Sequence, residues 1–147
     1  MTPKCKRPAE SSRGISVADK KIGILGFSFK ANTNDTRESP AIEICKELLE
    51  EGAILQIYDP KVEKEKIESE LNAYSKKWNY ANSVFEAAKS SDAIILLTEW
   101  QEFREIRWEE VHEIMRLPAW IFDTRNICNV NQIKALGFCL WSLGKPN

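Results

Sequence analysis

The sequence has no apolar run near the roughly 20 residues that a membrane-spanning helix requires, so no spanning helix is expected. Its first residues, MTPKCKRPAESSRG, lack the apolar middle of a signal peptide, and the expectation is a cytoplasmic protein with no membrane partner. Neither sign of charge is in excess. Twenty-one basic against 22 acidic residues give a formal net charge of −1, which leaves no global positive field to track a nucleic-acid backbone, so any basic site must be local. Histidine occurs once, as His112 in WEEVHEIMR, and reads as a surface or partly buried residue of a charged helix. The four cysteines show no Cys-x-x-Cys spacing, which argues against zinc and against a disulfide framework. They are expected as reduced thiols, with no metal site. Cys45 and Cys139 sit in apolar segments where cysteine behaves as a small hydrophobe. Cys5, between Lys4 and Lys6, has cationic neighbours that favour a thiolate but no packing pattern around it.

What the chain does have is a regular alternation. Residues 1–19 are rich in Pro, Ser, Lys and Arg without periodicity and read as a disordered tail, leaving 20–147 as one domain. Short apolar runs follow at Lys21 to Leu25, Ile54 to Tyr58, Ala93 to Leu97, Trp120 to Phe122 and Phe138 to Leu143, each suited to a buried strand. Between them lie helical patterns. Ser39 is a good N-cap with Pro40 at the first helical position, and Ala41, Cys45, Leu48 and Leu49 form a stripe that Gly52 closes. Weaker patterns cover Val62 to Leu71, Ser83 to Lys89, Trp108 to Met115 and Val130 to Leu136. The expected fold is α/β, a Rossmann-like parallel sheet with helices on both faces in a single domain.

In such a sheet ligands bind outside the carboxyl ends of the strands. The residues that follow the runs are Gly26 to Lys30, Asp59-Pro60, Thr98 to Trp100, Asp123 to Arg125 and Gly144-Lys145. Polar chemistry therefore gathers on one rim. Lys30, Arg37 and Arg125 bring cations to it, and the helix starting at Ser39 aims free N–H groups at the same edge, a combination suited to phosphate or pyrophosphate.

The usual fingerprints are missing. Gly23 and Gly26 make only G-x-x-G, with no third glycine for the dinucleotide motif, and no GKS or GKT completes a P-loop. A receiver domain needs acidic residues after its first strand, where this chain has GFSFK. Asp59 ends the second strand where a ribose-binding carboxylate would sit, but Asp-Pro as a strand terminator is the favoured reading. Taken singly, Arg37 reads equally as an exposed partner of Asp35 or Glu38, Lys30 as a solvated loop residue, and Arg125 as a surface partner of Asp123. Trp100, Phe103 and Trp108 read as packing residues.

Five stretches taken together are more specific. GFSFKANTNDTRESPA, IYDPKV, ILLTEWQEF, IFDTRNI and GFCLWSLGKP resemble, in order, the motifs of the C-terminal, UDP-binding domain of the UDP-glucose 6-dehydrogenases, within the UDP-glucose/GDP-mannose dehydrogenase family. The resemblance covers about residues 17–147. It implies that Phe29, through its backbone, and Lys30 contact the UDP-sugar, that Arg125 also reaches the substrate, and that Arg37 is directed at NAD. NAD itself would be held mainly by a domain outside this chain.

The family reaction oxidises the sugar C6 alcohol to a carboxylate in successive NAD-dependent steps, through a thioester on a cysteine of the central domain. The motif of that cysteine begins with a glycine pair, and this sequence has no Gly-Gly. No residue here is therefore expected to be catalytic, and the chain alone is expected to be inactive without the N-terminal and central domains. The full-length enzyme is expected to be a homo-oligomer. Ala31-Asn32, Thr124 and Asn129 depart from the family pattern, and none of them is one of the contact residues above. Two alternatives stay open: a free, non-catalytic nucleotide-sugar-binding module or truncated paralogue, and a related dehydrogenase acting on another nucleotide sugar.

Overall fold

The structure is a computed structural model that describes residues 18–28, 36, 39–72 and 77–142. It opens with strand β1 (Lys21–Leu25), followed by helix α1 (Pro40–Glu50), β2 (Ile54–Tyr58), α2 (Lys64–Glu70) and β3 (Trp78–Tyr80). The second half contains α3 (Val84–Ala88), β4 (Ala93–Leu96), α4 (Gln101–Arg104), α5 (Trp108–Ile114), β5 (Trp120–Asp123), α6 (Val130–Ala135) and β6 (Cys139–Ser142). The six strands lie in the order β3-β2-β1-β4-β5-β6, and every neighbouring pair is parallel. The expected α/β, Rossmann-like sheet is what the chain forms.

Alternation along the strands explains the two cores. Ile22 and Ile24 of β1 face the layer that holds Ala41, Cys45 and Leu49 of α1 and Ile67 of α2. Leu25, Ile94, Leu96 and Ile121 face the other layer, with Ala87 of α3, Val111 of α5 and Ile133 of α6. Strands buried on both faces must be apolar throughout, which is why they read as continuous runs. Gly23 lies where α3 sits directly on β1: a Cβ there would be 2.7 Å from the Ala87 carbonyl oxygen.

Helix α1 begins as its sequence requires. Ser39 is the N-cap, its Oγ accepting from the Ala41 N–H at 3.2 Å, and Pro40 fills a position whose own N–H would have no intrahelical partner. Ala41, Cys45 and Leu49 are its buried stripe. Gly52, at φ +94°, follows the last turn, and its carbonyl accepts from the Asp19 N–H, tying the entry to β1 to the exit from α1.

Three differences from the sequence reading stand out. Strand β3 and helix α4 were not among the expected elements. Trp78-Asn79-Tyr80 is a short edge strand with an exposed polar centre, and α4 is a single turn, so neither has a length that periodicity detects. Cys139 is disulfide-bonded, which corrects its reading as a reduced thiol; cysteine pairing follows Cα separation in the folded chain, which sequence spacing does not report. Cys45 and Cys128 are buried free thiols, and burial pushes the Cys45 thiol far above its ordinary range.

Candidate functional site

The strand order reverses between β1 and β4, so the crevice of this sheet opens at their carboxyl ends. Gly26 begins the connection there. Its N–H donates to the Tyr58 carbonyl at 2.8 Å, its φ is +103°, and a Cβ on it would lie 2.5 Å from the Thr98 side chain. Glycine alone meets both demands. The close approach brings Thr98 Oγ1 to 3.0 Å from the Ser28 carbonyl, to which it donates.

Asp59, at the end of β2, is 1% exposed. Its Oδ2 accepts from the N–H groups of Phe27 at 2.8 Å and Ser28 at 3.0 Å and from Trp100 Nε1 at 3.1 Å. Its Oδ1 accepts from the N–H groups of Lys61 at 2.8 Å and Val62 at 3.1 Å. Asp59 is thus more than a strand terminator, and it is not free for a ribose. Both oxygens are engaged by five protein donors, so the acidic position that would hold an adenosine ribose in an NAD half-domain does not fit that group here.

Ser39 is buried, and its Oγ lies 2.9 Å from the Phe27 carbonyl and 3.3 Å from that of Ser28. One hydroxyl therefore joins the start of α1 to the end of the β1 segment. The helix dipole and the β1 connection converge on the same point of the rim.

Beside them, β5 ends in the buried Asp123, which accepts from the Arg125 N–H at 3.1 Å and the Cys128 N–H at 2.8 Å. That Asx-type turn projects Arg125 sideways. Arg125 Nε donates to the Leu97 carbonyl at 3.0 Å, and its Nη1 lies 3.9 Å from Glu99 Oε2. The guanidinium is thus half-buried at the end of β4 and faces Glu99 rather than the Asp123 that its sequence neighbourhood proposed. Thr124 Oγ1 donates to the Leu96 carbonyl at 2.6 Å, fastening β5 to β4 at the same level.

Of the residues expected in the site, Arg125 stands at the rim where the sequence placed it. Phe29, Lys30 and Arg37 lie outside the described residues. His112 belongs to the opposite end of the sheet, its ring 4.8 Å edge-on to Phe138 just before β6. Sequence reading missed the tie between Tyr58 and Glu102. The Tyr58 hydroxyl lies 2.9 and 2.8 Å from the two Glu102 carboxylate oxygens, and it donates to that carboxylate. Burial first, then this bond and the charge of Glu102, push the Tyr58 phenol well above its ordinary range. No pattern in the sequence pairs residues 44 positions apart. Among the described residues no cluster of three metal-ligating side chains forms, and no helix is long and apolar enough to cross a membrane.

A 3-2-1-4-5-6 parallel sheet, with a capped helix and an anchored arginine at its switch point, defines a nucleotide-binding domain of Rossmann type. The chain belongs to the UDP-glucose/GDP-mannose dehydrogenase family: residues 23–130 match the family's UDP binding domain. It is 40% identical to UDP-glucose 6-dehydrogenase 4 of Arabidopsis thaliana, over 92% of this chain and 32% of that protein. It is 36% identical to UDP-glucose 6-dehydrogenase 2 of Oryza sativa, with the same coverage. The chain thus spans about a third of the length of the curated relatives it matches. Among solved structures, a UDP-D-ManNAc dehydrogenase from Pyrococcus horikoshii superposes with a TM-score of 0.71 at 26% identity, over 92% of this chain and 28% of that one.

Proposed function

We propose that the chain is the UDP-sugar-binding domain of an NAD-dependent UDP-glucose 6-dehydrogenase, which converts UDP-glucose to UDP-glucuronate. The observation that carries this reading is the position of Arg125, a half-buried cation tied to the end of β4 beside the switch point of the sheet. UDP-glucose is favoured over other nucleotide sugars because the curated relatives at 40% and 36% identity are UDP-glucose 6-dehydrogenases. In this reading Lys30, the Phe29 backbone and Arg125 hold the UDP-sugar, and Arg37 is directed at NAD. The binding domain is residues 20–147 in this reading. The main NAD site and the nucleophile lie, in this reading, outside this chain, which spans about a third of the relatives' length. In this reading the full-length enzyme works as a homo-oligomer in the cytoplasm.

Titration of UDP by NMR into the wild-type chain, Lys30→Glu and His112→Ala tests it. The expected affinity is weak, in about the millimolar range, near −4 kcal/mol, because part of the site lies in the other domains. It should fall with salt and fall further in Lys30→Glu, while His112→Ala binds as wild type does. Absence of binding by wild type overturns the reading, and equal affinity in all three removes Lys30 from the site.

A further inference from the structure

Resting on that reading, we propose that Asp59 is the positioning residue of the nucleotide-sugar site, acting through Phe27, Ser28 and Trp100 on the rim at the switch point of the sheet. Its carboxylate joins three connections at once. Oδ2 holds the residues after β1 and, through Trp100, the approach to α4, while Oδ1 holds the turn after β2. Since β2, β1 and β4 are neighbours in the sheet, these connections form the rim at the switch point. The Ser28 peptide is held from both sides, its N–H by Asp59 and its carbonyl by Thr98 Oγ1. A change at Asp59 is therefore felt directly at Phe27 and Ser28.

The acid does this work better than its amide. A buried carboxylate is costly unless its oxygens are satisfied, and bonds to a charged acceptor are stronger than neutral ones. Asparagine has one acceptor oxygen, so its amino group must face either Phe27, Ser28 and Trp100 or Lys61 and Val62, donor against donor. A carboxylate offers about four lone-pair sites, and five protein donors already converge on this one. Asp59 has no capacity left for a ligand, and its effect on binding must pass through the groups it holds.

The test combines amide hydrogen exchange with UDP titration on the 147-residue chain carrying Asp59→Asn or Trp100→Phe. Ser91→Ala serves as the control, since it removes a buried hydroxyl bond to Ala88 at the opposite rim. Asp59→Asn should speed exchange at Phe27 and Ser28 relative to Ile24 and raise the UDP Kd by about tenfold or more. Trp100→Phe should shift Kd less, in the same direction, and Ser91→Ala should lower Tm without moving Kd. If wild type binds UDP and Asp59→Asn binds equally well, the positioning role falls and the nucleotide reading stands. A loss of affinity in Asp59→Asn that Ser91→Ala reproduces at equal Tm also overturns it. If wild type does not bind UDP, the nucleotide reading falls and the positioning role with it. Should Asp59→Asn fail to fold, an unchanged Kd in Trp100→Phe decides against the proposal.

Discussion

Arg125 Nε donates to the Leu97 carbonyl at 3.0 Å, so a side chain delivered by β5 is fixed by the end of β4. That bond spends one guanidinium donor and leaves others for a ligand; the contact with Glu99 at 3.9 Å, both side chains about a third exposed, contributes no more than about 1 kcal/mol. A phosphate can displace so weak a partner. Arg125→Lys keeps the charge but loses the planar fork, so one ammonium nitrogen would have to serve both the carbonyl and the anion from a single point. We expect UDP affinity to fall by about tenfold, since one hydrogen bond to a charged group is at stake, and Tm to fall as well because the bond to Leu97 is lost. Calorimetry for stability and NMR titration for affinity would separate the two. A lysine variant that binds like wild type would show that only the charge matters.

Ser39 has a double role, capping α1 and reaching the Phe27 carbonyl. Its replacement by alanine should cost about 0.5 to 2 kcal/mol of stability. UDP binding should weaken as well, because the same hydroxyl joins the helix to the β1 segment. Urea denaturation reads the first effect, and an unchanged midpoint would contradict the cap seen here.

How much of this was legible in the sequence follows from what sequence can encode. Strands β1, β2, β4, β5 and β6 announce themselves because both faces are buried, and α1 because cap, stripe and glycine lie within 14 residues of one another, from Ser39 to Gly52. Strand β3 does not: its aromatic ends flank an exposed Asn79 at the edge of the sheet. The rim itself was legible, since it follows from where the strands end. The hold of Asp59 on Phe27, Ser28 and Trp100 was not, because those partners lie 31 to 41 positions away and no local pattern links them. Likewise Arg125 pointed in sequence to Asp123, whose oxygens the fold gives to backbone N–H groups instead.

Supplied with UDP-glucose and NAD, the 147-residue chain should form no NADH. Holding phosphates positions a substrate, but hydride transfer needs a bound nicotinamide, and the thioester route needs a nucleophilic cysteine near the sugar. Of the described thiols, Cys45 is buried in the core with its ionisation suppressed, and Cys128 is buried too. Absorbance assays at several enzyme concentrations give the answer; NADH that rises in proportion to the chain would refute the expectation.

Tyr58 and Glu102 give the rim a pH dependence whose sign can be worked out. Burial is the largest cause of the raised phenol, followed by the hydrogen bond to Glu102 and its charge, with smaller effects from Asp59 and Tyr80. The native state then keeps the Tyr58 proton at pH values where the unfolded chain has released it. Stability from this group is fully present below the ordinary tyrosine value of about 10 and is lost as pH rises through the folded value above it. Tyr58→Phe should therefore flatten the alkaline fall of stability in that window. Glu102→Gln should lower the Tyr58 titration midpoint only part of the way, since burial remains when the carboxylate is gone. Ring-carbon NMR shifts followed against pH would assign the titration to Tyr58 separately from Tyr80, whose phenol is also raised by burial. A Tyr58 midpoint that Glu102→Gln leaves unmoved would show that the bond between β2 and α4 contributes nothing to holding the proton.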